Sequence, residues 1–214
     1  MLRLRIRFRR GEEIKFISHL DIMRLWQRAL VRAGVELAYS EGFNPHPRMS
    51  LAAPLALGVT SEAELMDIVL ARQATPHAFT AAVSRQLPAG MEILQVFQLP
   101  LILPSLQSQV RFAEYRVALD TDKERQDIQA AIGALLEKKE LPWQHQRDTG
   151  PRRYDLRALI SDIWLADDGD GRTIGMRLRC DSDGSGRPEQ VSAALGFENY
   201  PRSIHRIKLI LSTK

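Results

Sequence analysis

The opening stretch MLRLRIRFRR alternates without a slip, with Leu2, Leu4, Ile6 and Phe8 in one series and Arg3, Arg5, Arg7 and Arg9 in the other. A period of two belongs to a β-strand, whose successive side chains leave on opposite faces. A helix would scatter the arginines around its axis, so the segment must lie in a sheet that buries one face only. Arginines on the other face recur at about 6.8 Å, twice the strand rise, which is comparable with phosphate spacing along a nucleic-acid strand. Four like charges in a row repel unless an anion or carboxylates neutralise them. The expectation is a surface that meets RNA phosphates through Arg3, Arg5, Arg7 and Arg9; the plain alternative is a solvated strand face.

Hydrophobic periodicity then divides the chain in two. Leu99 to Gln109, LPLILPSLQSQ, carries two prolines and no helical period, so residues 99–111 are expected as a linker. Before it come a strand, a helix over Ser18–Ala33, extended Glu36–Ser40 and Glu64–Leu70, a helix over Thr75–Leu87 and a strand over Glu92–Gln98. After it come Glu114–Leu119, a helix over Asp127–Lys138, a short strand Trp143–Arg147, extended Asp155–Leu165 and Ile174–Arg179, a helix over Pro188–Leu195, and Ile204–Leu211. GDGRTIG and GSGRP read as turns, and neither is a phosphate-binding loop. The closing units TPHAFTAAVSRQLPAGMEILQVFQL and RPEQVSAALGFENYPRSIHRIKLIL each open a helix with proline. The predicted fold is α+β, two ferredoxin-like β-α-β-β-α-β halves spanning residues 1–98 and 112–214, each with an antiparallel sheet carrying both helices on one face.

The first helix is well punctuated. Ser18 caps it with Asp21 three residues on, and Gly34 stops it. Ile22, Met23, Trp26, Ala29, Leu30 and Ala33 form one stripe, while Asp21, Arg24, Arg28 and Arg32 lie opposite. His19 leads the apolar stripe, so it should point inward. The following GFNPHPRM locks Asn44 and His46 before prolines, which restrict them to extended conformations. A stiff loop prepared in advance favours a residue that meets a partner with fixed geometry. Tyr39, Ser40, Glu41, Asn44, His46 and Arg48 are therefore candidate contact residues.

Charge composition agrees with a polyanionic partner without proving one: the net charge is +4, and 24 of the 30 basic residues are arginine, the side chain suited to bidentate phosphate contacts. The single cysteine, Cys180, excludes an internal disulfide, and charges interrupt the first ten residues where a signal peptide would be apolar. Cytoplasm is the expected location. The longest uncharged run, Met49 to Thr60, is far short of the roughly 20 residues that span a bilayer.

The segments KFISHLDIMRLWQRAL, AYSEGFNPHPRMSLAAPLALGVTSEAELMDI, YDLRALI, GRPEQV and IHRIKL resemble the radical SAM-linked, or radical SAM-associated, proteins, domain of unknown function 2344. In that family the domain occurs alone or fused behind a cobalamin-binding radical SAM module, often encoded near ribonuclease and ribosomal-protein genes. The resemblance implies a radical SAM enzyme as partner and an RNA setting, tRNA or rRNA. It carries no catalytic assignment. The motif positions are His19, Asp21, Arg24, Tyr39, Ser40, Glu41, Gly42, Asn44, His46, Arg48, Asp155, Arg157, His205 and Arg206. A polar site and a salt-bridged sheet seam are both open readings for the last four.

Iron-sulfur clusters need several thiolates, and this chain has one cysteine. It is expected to bind no cofactor or metal itself; the partner would carry the cluster, S-adenosylmethionine and, in cobalamin-type enzymes, cobalamin. The function expected first is a non-catalytic module that holds RNA for that enzyme. One alternative is metal-independent RNA cleavage, with His19 and His46 as base and acid and arginine charge on the phosphorane. A second is a protein adaptor without RNA binding.

Overall fold

The computed structural model describes residues 1–147, 150–167, 171–197 and 199–212. The chain divides into two compact units, Met1–Val110 with Ser212, and Arg111–Leu211. Both are mixed α+β with mostly antiparallel sheets.

The first unit runs β1 (Leu2–Arg10), α1 (His19–Arg32), β2 (Met49–Leu51), β3 (Thr60–Leu70), α2 (Pro76–Ser84), β4 (Met91–Leu99) and a single turn, α3 (Leu106–Gln109). Its strands lie in the order β4-β1-β3-β2, each pair antiparallel. The alternation in β1 does what its period demands: Leu4, Ile6 and Phe8 are wholly buried among Ile22, Trp26 and Leu30 of α1 and Phe79 and Val83 of α2. Phe8 meets Trp26 edge to face at 5.1 Å, a contact worth about 1 kcal/mol beyond the burial itself.

Local chemistry sets the ends of α1. Ser18 Oγ accepts from the Asp21 N–H at 3.2 Å, satisfying an orphan donor of the first turn. At the other end Gly34 adopts φ +70, and the Gly34 and Val35 N–H groups close onto the carbonyls of Val31 and Leu30, a Schellman stop that needs a residue without a Cβ penalty.

The second unit runs β5 (Val110–Ala118), α4 (Arg125–Leu136), β6 (Pro142–Arg147), β7 (Gly150–Asp155), β8 (Ile160–Leu165), β9 (Thr173–Arg179), α5 (Pro188–Ala194) and β10 (Ser203–Leu211). The sheet order is β10-β5-β9-β8, while β6 and β7 pair only with each other as a separate ribbon. Numbering each unit's sheet strands in chain order, both units place them as last, first, third, second.

Three expectations are corrected. Glu36–Ser40 is not a strand: it makes only isolated bridges at Leu37 and Tyr39, and the strand beside β3 is Met49–Leu51. Trp143–Arg147 belongs to the ribbon, not to the main sheet. Residues 99–111 are not a free linker, since Leu106 is fully buried and the segment is bound to β1. Of the expected GDGRTIG turn, Gly169 and Asp170 lie outside the described residues.

Candidate functional site

The outer face of the first sheet is where the strand arginines were expected to stand free. Register decides otherwise. Arg5 lies directly across from Asp67 on β3, and Arg3 across from Val69. Asp67 accepts four hydrogen bonds: from Arg3 Nε and Nη2 at 3.0 and 2.6 Å, and from Arg5 Nε and Nη2 at 2.7 and 3.0 Å. Arg3 also donates to the carbonyls of Leu103 and Pro104 at 2.5 and 2.8 Å, which fastens residues 103 and 104 to the sheet. Arg3 is left 7% exposed. Desolvation is costly for such charges, and only pairing of this completeness offsets it.

The row then opens toward solvent. Arg7 Nε donates to the Glu62 carbonyl at 3.2 Å, and exposed Arg9 faces Glu92 at 4.0 Å. The expectation of four available guanidiniums is therefore corrected: Arg3 and Arg5 share one carboxylate, and Arg9 alone of the four is well exposed.

On α1, His19 is half-buried at the first position. Arg24 pairs with Asp21 at 3.0 Å, both well exposed. The Ser18 hydroxyl, then Arg24, hold the Asp21 carboxyl below its usual range. These residues cap and solvate the helix.

The loop from Tyr39 to Arg48 is different. Its stem is pinned by Ser40 N–H to His46 carbonyl at 2.8 Å, His46 N–H to Ser40 Oγ at 3.0 Å and Arg48 N–H to Ala38 carbonyl at 2.8 Å. Tyr39 pairs with Pro47 across the stem. Gly42, at φ +118, turns the tip. This stiff frame carries an exposed Tyr39, Glu41, Asn44, His46 and Arg48, and a fully exposed Phe43. Arg48 has no carboxylate partner among the described residues; its Nη1 approaches only Met1 Sδ at 3.7 Å. It lines a cleft of about 360 Å³ on the outer face with Arg3, Ser50, Asp67 and Leu103.

The two histidines of the cleavage reading lie at opposite ends of the unit. His19 follows Ile17, whose carbonyl accepts from Arg10 at the end of β1. His46 belongs to the loop whose Arg48 carbonyl binds Val69, the residue across from Arg3 at the start of β1. Arg3 and Arg10 stand at the two ends of β1, on the order of 20 Å apart at about 3.4 Å per residue, whereas acid and base must both reach one phosphodiester. The structure does not bring His19 and His46 together as that pair.

In the second unit, Asp155 Oδ1 accepts from the N–H groups of Leu141 and Arg157 at 2.8 and 2.9 Å. Arg157 clamps the carbonyls of Ile160 and Leu136 at 2.9 and 3.1 Å, closing the end of α4. These two residues tie backbone together instead of forming a salt bridge with each other. Arg206 is fully buried on β10 and His205 half-buried. Among the described residues no group of histidine, cysteine and carboxylate side chains could hold a metal ion.

The sequence pattern of a family described as uncharacterized protein conserved in bacteria (DUF2344) matches residues 3–188. The chain belongs to this family. The DUF2344 match contains the whole Tyr39–Arg48 loop, the Arg3–Asp67–Arg5 cluster and Asp155 with Arg157; it ends at the start of α5, before His205 and Arg206. No curated protein matches the sequence. Among solved structures, a Cbf5-Nop10-Gar1 complex aligns with 96% of this chain and 48% of its own at 10% identity and a TM-score of 0.47. An archaeal box H/ACA sRNP Nop10-Cbf5 complex aligns with 95% of this chain and 46% of its own, at 12% identity and 0.43. The chain thus spans about half the length of these two, and scores this low carry no weight for fold or function.

Sequence reading missed two residues of this site. Asp67 gave no signal because its role depends on strand register, which is a tertiary fact. Phe43 could have been found, since an aromatic between Gly42 and Asn44 in a turn has no core to enter.

Proposed function

We propose that the chain is a non-catalytic RNA-binding module that presents a tRNA or rRNA substrate to a separate radical SAM enzyme of the cobalamin type. The observation that carries the RNA part is the loop pinned at its stem, which holds Tyr39, Phe43, His46 and Arg48 out to solvent and lowers the backbone ordering cost of binding. Bases stack on exposed aromatic rings, at about 1–3 kcal/mol each, and arginine meets the phosphates between them. The radical SAM part rests on the family resemblance. With Cys180 as its single cysteine, the chain relies on its partner for the iron-sulfur cluster, S-adenosylmethionine and cobalamin. Each unit is read as a ferredoxin-like half, a reading supported by the strand order the two share. The setting is the cytoplasm.

Binding of labelled RNA across a salt series tests this. Phosphate contacts release counterions, so log affinity should fall linearly with log salt, at about 0.7 per contacted phosphate on a single strand. Absence of binding at low salt overturns it. Phe43 also suits an adaptor reading, because a fully exposed ring fits a protein pocket as well as a base. Co-purification separates the two readings: RNase treatment should break a complex bridged by RNA and leave a direct protein complex intact.

A further inference from the structure

The β6–β7 ribbon carries a second concentration of the same chemistry, with Trp143, His145 and Arg152 outside the segments that carry the resemblance and Tyr154 at the start of one of them. Register sets Trp143 opposite Tyr154 and His145 opposite Arg152. Since opposed residues share a face and neighbours alternate, these four lie on one side of the ribbon. Gln144 and Arg153 lie on the other, bonded to each other at 3.1 Å.

The residue before α5 completes the first face. Arg187 Nη1 lies 3.4 Å from His145 Nε2, Arg152 lies over the Tyr154 ring at 5.8 Å, and the Tyr154 hydroxyl donates to the Gln190 side chain. Two guanidiniums and an imidazole thus gather beside two rings. Opposing charge is thin: Glu189 reaches Arg187 only at 4.0 Å, and Arg152, itself exposed, has no carboxylate partner among the described residues. Burial holds the Tyr154 phenol above its usual value, although the Arg187 and Arg152 charges act against that. Alongside, a cleft of about 580 Å³ is walled by Trp143 and Tyr154 and by Gln144 and Arg153 of the other face, with the carboxylates Glu140 and Asp155 among its lining.

We propose that this ribbon is a second nucleic-acid contact, taking a single RNA strand with phosphates on Arg152 and Arg187 and a base stacked against Trp143. Charge complementarity selects the occupant. Two guanidiniums faced, among the described residues, by one carboxylate at 4.0 Å favour an anion, and rings interleaved with them favour a strand whose phosphates alternate with flat bases. His145 positions Arg187 and does no chemistry. The inference deepens the RNA reading above and rests on it.

The test uses the full chain and a fluorescein-labelled oligouridylate of about 12 nucleotides, a length within the range single-strand-binding OB-folds occupy. The Arg152→Ala/Arg187→Ala variant should bind about tenfold more weakly, with the salt slope reduced by about 1.4, the contribution of two phosphates. Arg152→Lys/Arg187→Lys should restore the slope, which a merely misfolded ribbon would not do. RNA should quench tryptophan emission in the wild type, and Trp143→Phe should remove that quenching. A double alanine variant with wild-type affinity and slope, alongside a weakened Phe43→Ala/Arg48→Ala variant, overturns the ribbon contact and leaves the loop reading standing. No binding by the wild type at low salt overturns both.

Discussion

Arg3 and Arg5 of β1 and Arg152 and Arg187 of the second unit are the same side chain in opposite circumstances. The first two are held by one buried carboxylate, Arg3 also by carbonyls of the chain's own backbone; the second two gather with an imidazole and two rings and have little carboxylate near them. An arginine becomes available to an outside anion only when the fold has not already supplied one. Spacing along a strand cannot decide that; the residue across the ladder does.

The largest expected effect separates these circumstances by stability. Asp67→Asn leaves two guanidiniums facing a neutral amide, Arg3 buried and Arg5 nearly so, and should cost about 3–5 kcal/mol in urea denaturation. Glu189→Gln beside Arg187 should change stability by no more than about 0.5 kcal/mol. Equal losses in the two variants would erase the distinction.

Next in size is Arg3→Ala, which deletes charge-assisted bonds to Asp67, Leu103 and Pro104 and should cost about 2–3 kcal/mol. Limited proteolysis should then cut near residues 100–105, where the wild type should resist. Resistance in the variant would show that Arg3 does not fasten that segment.

Phe43→Ala sharpens the comparison from the functional side. The ring touches solvent, so stability should hold within about 0.5 kcal/mol, while RNA affinity falls by about 1–3 kcal/mol per lost stacking contact. A drop in melting temperature with unchanged affinity would assign Phe43 to the fold.

The smallest effect is electrostatic and local. Burial alone would raise the Asp181 carboxyl, but hydrogen bonds from Arg179 and from the Asp183 and Gly184 N–H groups outweigh it and hold the value below 3.8. A depressed folded value stabilises fully above the unfolded one, so this contribution is complete above about pH 4 and is lost as pH falls through the folded value. Asp181→Asn should flatten the acid end of the stability profile. An unchanged profile would remove that role.

What the sequence discloses divides along the same line. The α1 boundaries are legible because Ser18, Asp21 and Gly34 act through bonds to their own neighbours, and the buried face of β1 because alternation needs no partner. The outer face of β1 is not legible, since Asp67 is 62 residues from Arg5 and meets it only through register. Glu36–Ser40 reads as extended because its residues suit a strand, yet it reaches only the end of β3, through Leu37 and Ala38, and the ladder beside β3 is made by Met49–Leu51. The stiffness of the His46 loop was readable from Pro45 and Pro47. Phe43 was open to the same reading, and the tip that Gly42 turns sets its full exposure.

One titration tests the central claim most directly: RNA affinity against salt for Arg3→Met/Arg5→Met/Asp67→Leu, which exchanges the buried ion cluster for apolar side chains of similar bulk. Such exchanges are often neutral or stabilising, so the variant should fold and keep the wild-type salt slope. A folded variant whose slope drops by about 1.4, the loss of two phosphate contacts, would show that Arg3 and Arg5 face RNA after all.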